Sequence, residues 1–352
     1  MAARRAAEGA AGRRQAIAGR RVDGKRPIVR EIVRRMSIPP WPAAGRAALL
    51  AATLAASAAG GELAGQQLLV TSVRTGDTEV FVVDPETGDA RNLSRSPTSE
   101  DRYPCWSPDA REVAFISDRD GAPNLYVMDA RGDDVRRLTR TPAVCYMPSW
   151  VGDVIVFGMH GDKPEIARIR PDGTGLQVLG DGHDPSLSPD GRTIAYTGDV
   201  EGGFAVFVMG ADGQGRRRLV SDTNALGAVF PSFSPDGRQV VYSGTAGQAL
   251  ELFVVAASGG EPRQLTRLGQ VATPAAWSPD GRFISFRLTD EMYWRDKERM
   301  RQVYAEKPAD KRPVWVVRPD GSGARVIESL RFQCAIDGSR AAWRPLAPPP
   351  VR

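Results

Sequence analysis

Histidine is nearly absent: the 352-residue chain has two, His160 and His183, which excludes a His-rich metal site. Cysteine is scarce too. Three residues with no Cys-x-x-Cys pair exclude a zinc ribbon, and an odd count leaves at least one thiol without an intramolecular partner. No Gly-x-Ser-x-Gly sequence occurs, so the chain has no nucleophile elbow of the hydrolase kind. The longest apolar run, residues 47–59, falls short of the ~20 residues that a spanning helix needs.

Turn residues, by contrast, are abundant. The 37 Gly and 27 Pro together make 18% of the chain, against an ordinary ~12% and a low-complexity range that begins near ~25%. A folded chain of many short strands fits that balance. The net charge of +5 is unevenly placed. Residues 1–65 hold twelve basic and four acidic residues, whereas the rest of the chain is net −3. The body therefore lacks the basic excess that a nucleic-acid surface requires.

The N-terminal segment reads as an address. From Met36, a short region ending at Arg46 leads into the apolar run and then into Ala56-Ser57-Ala58, the three parts of a secretory signal. Read from Met1, the positive region is too long for one. The expectation is a basic leader over 1–35, untranslated or disordered, and a signal over 36–60. An organelle transit peptide is the rival, weakened by few serines, and Arg34-Arg35 lacks a twin-arginine context. The mature protein is expected in the periplasm or secreted.

The body is a repeat. Ser107-Pro108-Asp109-Ala110, Ser188-Pro189-Asp190-Gly191, Ser234-Pro235-Asp236-Gly237 and Ser278-Pro279-Asp280-Gly281 each follow a large apolar residue: Trp106, Leu187, Phe233 and Trp277. Trp150 and Trp343 mark two degenerate copies. The markers lie 44, 37, 46, 44 and 66 residues apart, and a period of ~40–45 residues belongs to propellers with four strands per blade. Each copy continues with an alternating strand such as Arg192-Thr193-Ile194-Ala195-Tyr196. A hairpin, a strand such as Leu125-Tyr126-Val127-Met128 and a last strand ending in Arg137-Leu138-Thr139 follow. The Ser-Pro-Asp-Gly turns read as structure, since Pro presets φ, Asp bonds the backbone and Gly accepts positive φ. The fold class is all-β: a six-bladed β-propeller over 66–346 with four-stranded blades. The Trp343 copy supplies the strand that blade one lacks, and a Pro-rich tail covers 347–352.

Large apolar/Ser-Pro-Asp-Gly-Arg, then Ile-Ala-Tyr, Leu-Tyr-Val-Met and Arg-Arg-Leu-Thr together resemble the propeller repeat of the TolB family, the WD40-like PD40 repeat. The resemblance covers about 66–346 and implies six blades and a periplasmic setting. It also implies a protein or envelope partner, among them a peptidoglycan-associated lipoprotein. About 65 residues precede the repeat, too few for the α/β domain that full-length members carry. The repeat is also similar to the propellers of prolyl-oligopeptidase-type peptidases and some polysaccharide lyases.

Strand direction puts the hairpins between second and third strands at the same end as the inter-blade crossings, such as 181–184. That end is the expected functional mouth. His160, His183, Asp181 and Asp184 fall there, with Tyr146. Imidazole and carboxylate would suit a divalent metal, held by His160, His183 and Asp184, or acid–base work. The plainer reading is two surface histidines in Asp/Gly turns with no cofactor. The 66-residue gap marks an insertion in blade six over 289–312. Asp290 as cap, Pro308 as stop and Tyr293, Met300 and Tyr304 at helical spacing make it a helix. Tyr293, Trp294 and Arg295 would anchor a partner there, or the helix packs its aromatics on the propeller. Cys105, Cys145 and Cys334 lie in or just before innermost strands, and spacing does not choose between a bridge and buried thiols. Taken together, the leading expectation is a monomeric, non-enzymatic binding module. Its alternative is a lyase or hydrolase using His160 and His183.

Overall fold

The structure is a computed structural model, and it describes residues 61–220, 227–289, 313–330 and 339–346. Among these residues there are 24 strands and no α-helix. They run as antiparallel meanders of four. The first holds β1 (Leu68–Ser72), β2 (Glu79–Val83) and β3 (Ala90–Asn92), joined by β24 (Ala342–Trp343) from the far end of the chain. The second is β4 (Asp101–Trp106), β5 (Glu112–Ser117), β6 (Asn124–Asp129) and β7 (Arg136–Arg137). The third is β8 (Val144–Val151), β9 (Val154–His160), β10 (Pro164–Ile169) and β11 (Gln177–Asp181). The fourth is β12 (His183–Leu187), β13 (Thr193–Val200), β14 (Gly203–Gly210) and β15 (Arg217–Val220).

The last eight strands form one sheet. β16 (Ala228–Phe233), β17 (Gln239–Ala246), β18 (Ala249–Ala256) and β19 (Arg263–Gln264) make its first half. β20 (Val271–Trp277), β21 (Ile284–Thr289), β22 (Val314–Val317) and β23 (Arg325–Val326) make its second. A single parallel pair, Leu250 with Val271, joins the halves. Of the expected helix over 289–312, Thr289 ends β21 and the rest, with Tyr293, Trp294 and Arg295, lies outside the described residues, as do Cys334, the leader and the tail.

The middle two strands of each meander are buried on both faces, as in Glu79–Val83 and Leu68–Ser72. Their β-branched and aromatic side chains suit such positions. Each face packs on a neighbouring meander, and the apolar clusters pair them in order. Val80, Val82, Val113 and Phe115 join the first and second, and Ile116, Leu125, Ile155 and Phe157 the second and third. Ile166 and Ile194 join the third and fourth, Val206 and Val240 the fourth and fifth, and Leu252 and Phe286 the fifth and sixth. The order then closes on itself: Val314, Val316 and Phe283 pack on Leu68, Phe81 and Trp343 of the first. The innermost strands touch around the same cycle, β24 with β4, β4 with β8, and onward to β20 with β24. Trp343 pairs with Leu68 and Ala342 with Leu69, so the C-terminal strand completes the first meander and leaves no open edge at the closure.

The repeated turn is a hydrogen-bonded unit. In Ser234-Pro235-Asp236-Gly237 the Ser234 hydroxyl donates to Asp236 at 2.6 Å and accepts from the Gln239 N–H at 2.9 Å. The Asp236 carboxylate accepts from the Arg238 N–H at 3.0 Å, and Gly237 sits at φ 70°. Ser107/Asp109, Ser188/Asp190 and Ser278/Asp280 repeat these bonds. Arginines tie the outer strands together at the same end of the sheets. Arg91 bonds the Arg131 carbonyl, Arg136 that of Pro171, Arg168 that of Ala211, Arg217 that of Ala257 and Arg263 that of Pro319. Each reaches from one meander to the next. At the sixth junction Glu62 takes the role, pairing with Arg318 at 2.6 Å and Arg325 at 2.8 Å.

Candidate functional site

The registers place one set of ends together. Asp101 of β4 opposes Ser117, and Ser117 opposes Asn124 across the hairpin, so inner-strand starts and the β5–β6 type hairpins share an end. The stretch 181–184, expected as a crossing loop, is largely strand, and Asp101, Tyr146, His183 and Asp184 all belong to paired segments. The hairpins at this end are tight. Residues 198–200 and 203 are paired, which leaves Glu201-Gly202 as the turn, where Gly202 takes φ 82°.

The physical reason is a bulge. In β4, β8, β12 and β16 the register shifts so that two residues oppose one: 103–104, 147–148, 184–185 and 230–231. The first residue of each pair is left-handed: Tyr103 at φ 53°, Met147 at 50°, Asp184 at 50° and Phe230 at 56°. The second is proline each time. A non-glycine residue held there costs about 1–2 kcal/mol, and a bulge re-aims its side chain. Here three of the re-aimed side chains, Tyr103, Met147 and Phe230, meet in one cluster. Met147, Val229 and Phe230 form a seventh apolar cluster with Leu250 and Val271, against which Tyr103, Tyr146 and Phe204 pack. Five meanders contribute to it. In the first meander the equivalent position, three before Trp343, is Arg340, whose Nη2 donates to the Pro231 carbonyl at 2.7 Å.

His183 meets this cluster through Tyr146 and Phe204. Its Nδ1 lies 3.5 Å from the Tyr146 hydroxyl and its Nε2 lies 3.3 Å from Asp199 Oδ2. Its ring meets Phe204 edge-on at 5.8 Å. Tyr146 depends on a small neighbour. A Cβ on Gly158, its partner across the ladder, would stand 2.5 Å from the Tyr146 ring. Burial pushes the Tyr146 phenol well above its usual range, and the charges of Asp184 and Asp199 add to this. Burial also raises Asp184, against the opposing pull of His183, Arg340 and Thr197. It lowers Arg340 to about 10, held up by Asp184 and Cys105.

The sequence candidates therefore separate. Tyr146, His183 and Asp184 come together at the inner rim. Asp181 ends the outermost strand of its meander, and its carboxylate takes Lys163 at 2.7 Å. His160 pairs in the ladder with Val144 and Pro164 and is half-buried. Both ring nitrogens of His183 face other groups than His160. Among the described residues no three His, Cys, Asp or Glu side chains are placed to hold a metal. Cys105 and Cys145 are free thiols in adjacent inner strands, raised by burial to about 12 and about 11, which keeps them protonated and unreactive at neutral pH. Sequence reasoning missed Asp199, Phe204, Tyr103, Phe230 and Arg340. The signal was there for three of them, in the place three residues before each large apolar marker.

The TolB β-propeller domain family matches residues 62–228 and 185–304. The chain belongs to that family. A TolB homologue of Chlorobium luteolum is 36% identical over 152 residues, which is 41% of this chain and 34% of the relative. The chain thus spans about a third of that relative's length. TolB of Acinetobacter baumannii superposes with a TM-score of 0.62 at 17% identity, over 81% of this chain and 68% of the other. A putative TolB of Agrobacterium tumefaciens gives 0.58 at 18%, over 74% and 88%. A chain of a nidogen/laminin complex gives 0.56 at 14%, over 79% and 98%. At these identities the likeness is one of fold, and it agrees with the four-stranded sheets of this TolB-type propeller. No helix among the described residues is long and apolar enough to cross a membrane.

Proposed function

We propose that the chain is an exported, non-enzymatic binding module that engages a protein or envelope component at the mouth of its propeller. The observation that carries this reading is the cluster of Tyr146, His183, Asp199 and Phe204 on a rigid strand framework. Aromatic bodies with polar tips, held in place by packing, are what binding hot spots are made of. The side chains of Tyr103, Met147 and Phe230 pack in one apolar cluster with Tyr146 and Phe204, which gives the polar tips a packed base. Membership of the TolB family supports an envelope partner, and a peptidoglycan-associated lipoprotein is the one its resemblance points to. The signal-like segment before residue 61 supports export to the periplasm or beyond.

The test is retention from an envelope extract on the immobilised chain. Wild type and Asp236→Ala should hold the same partner. His183→Ala and Phe204→Ala should weaken it by roughly 10-fold or more, as hot-spot truncations do. Equal retention by all four proteins would reject the mouth as the binding surface.

A further inference from the structure

In the second meander, carboxylates of the leading end are answered by arginines of the same meander. Glu100 meets Arg102 at 2.8 Å, Asp101 meets Arg119 at 3.1 Å and Asp120 meets Arg137 at 3.6 Å. In the fourth meander that pattern stops. Among the described residues, no Lys or Arg stands within 4.0 Å of Asp184 or Asp199. Asp199 has the His183 imidazole instead, with Nε2 at 3.3 Å, and its side chain is 63% exposed. A neutral imidazole carries one N–H. Donated from Nε2 to Asp199, it leaves Nδ1 to face the Tyr146 hydroxyl at 3.5 Å as acceptor. These bonds orient the ring and leave the carboxylate charge unanswered.

Aromatic rings stand beside these carboxylates. Phe204 meets the His183 ring edge-on at 5.8 Å and packs with Tyr146, and both Phe204 and Tyr146 are half-buried. A ring attracts a cation through its quadrupole, and a neighbouring carboxylate adds a charge pair. The second meander builds that joint from its own residues: Arg119 lies 5.2 Å from the Phe115 ring centre and 5.4 Å from that of Tyr126, while its Nη2 pairs with Asp101. At the mouth, rings and carboxylates recur with no guanidinium on either carboxylate among the described residues. We propose that this cluster receives an arginine side chain of the protein partner. The guanidinium bonds Asp199, Asp184 adds charge of the right sign, and the guanidinium plane lies against Tyr146 and Phe204. Arginine suits the cluster better than lysine, because a planar guanidinium stacks on a ring while its N–H edge meets a carboxylate. The inference rests on the mouth as the partner surface proposed above, and names what the partner brings to it.

The two histidines supply the readout. Histidine-labelled full chain gives imidazole resonances from His160 and His183 alone, assigned with His160→Gln. The probe is N-acetyl-L-arginine amide, with N-acetyl-L-citrulline amide as its neutral isostere. The arginine probe should shift the His183 resonances saturably, and the citrulline probe should bind at least roughly 5-fold more weakly. Asp199→Asn should weaken the arginine probe by a similar factor, and Asp236→Ala, at the far turn, should leave it unchanged. The citrulline comparison uses unaltered protein, so it decides the matter even where a variant fails to fold. His183 resonances that do not respond to the arginine probe would overturn the proposal. So would a citrulline probe that matches arginine, or a folded Asp199→Asn chain that binds as wild type does. Retention from the envelope extract is scored separately. A partner held at the mouth with no arginine response ends this inference alone, whereas an arginine response with retention untouched by His183→Ala and Phe204→Ala ends the reading of the mouth as the partner surface.

Discussion

The two ends of the inner strands differ in kind. At the trailing end the same turn recurs four times, Ser107, Ser188, Ser234 and Ser278 each bonding an Asp two residues on. At the leading end the same backbone device recurs, a left-handed residue in a bulge, but its side chain changes every time: Tyr103, Met147, Asp184 and Phe230. Repetition of side chains is what a structural joint needs, because four meanders have the same turn to close. Repetition of backbone with varied side chains is what a site needs, because each meander then contributes one different group to a common centre.

The largest effect should come from breaking the cycle that both ends depend on. Truncation after residue 335 removes β24 and Trp343, exposes the edge of β1 and strips a buried partner from Leu68. The expected outcome is loss of the cooperative melting transition and of soluble yield. A soluble truncate with unchanged Tm would mean that the closure is dispensable.

Next in size is the leading end. Phe230→Ala removes a buried ring from the axial cluster and should cost about 3 kcal/mol in denaturant unfolding. Gly158→Ala acts on the same end through displacement. It should shift the near-ultraviolet circular dichroism of Tyr146 and weaken mouth binding with a smaller stability loss. At the trailing end, Asp236→Ala removes bonds from Ser234 and Arg238 and should cost about 1 kcal/mol without touching binding. Arg91→Ala, an exposed clasp to the next meander, should cost a few tenths of a kcal/mol, as exposed charged contacts do.

Acidity separates the ends by sign. Hydrogen bonds from Ser107, Ser188 and Ser234, the largest cause in each case, hold Asp109, Asp190 and Asp236 below the ordinary 3.8. Their contribution is therefore present above pH 3.8 and lost as pH falls through the lowered values. Asp184 is raised by burial, so its contribution is full below pH 3.8 and lost as pH rises through its folded value. Melting curves across acid pH should steepen less for Asp236→Asn. For Asp184→Asn they should show a gain in stability on the high-pH side. A matching pH response in the two variants would break the contrast.

Most of the fold was legible in the sequence because it rests on local rules. Ser-Pro-Asp-Gly fixes a turn through bonds two to five residues long, and period-two strands such as 239–242 bury both faces. The C-terminal closure followed from one orphan Trp343. The site was less legible. Tyr146, His183 and Asp184 were named for their chemistry, but the loop assigned to them is a bulged strand. The reason is that Pro104, Pro148, Pro185 and Pro231 follow a left-handed residue and yet the ladder continues past them. Asp199 and Phe204 escaped notice because their importance lies in packing against His183, a contact 16 to 21 residues away in sequence that no local pattern encodes. The inter-blade arginine clasps were invisible for the same reason, since each spans about one repeat.

The claim that the leading end meets the partner is tested most directly by a photo-crosslinking residue placed at position 204 and, separately, at position 237 of the trailing turn. After exposure to an envelope extract and irradiation, position 204 should give one discrete adduct, and position 237 none. Adducts from position 237 alone, or equally from both, would contradict the division between a joining end and a binding end.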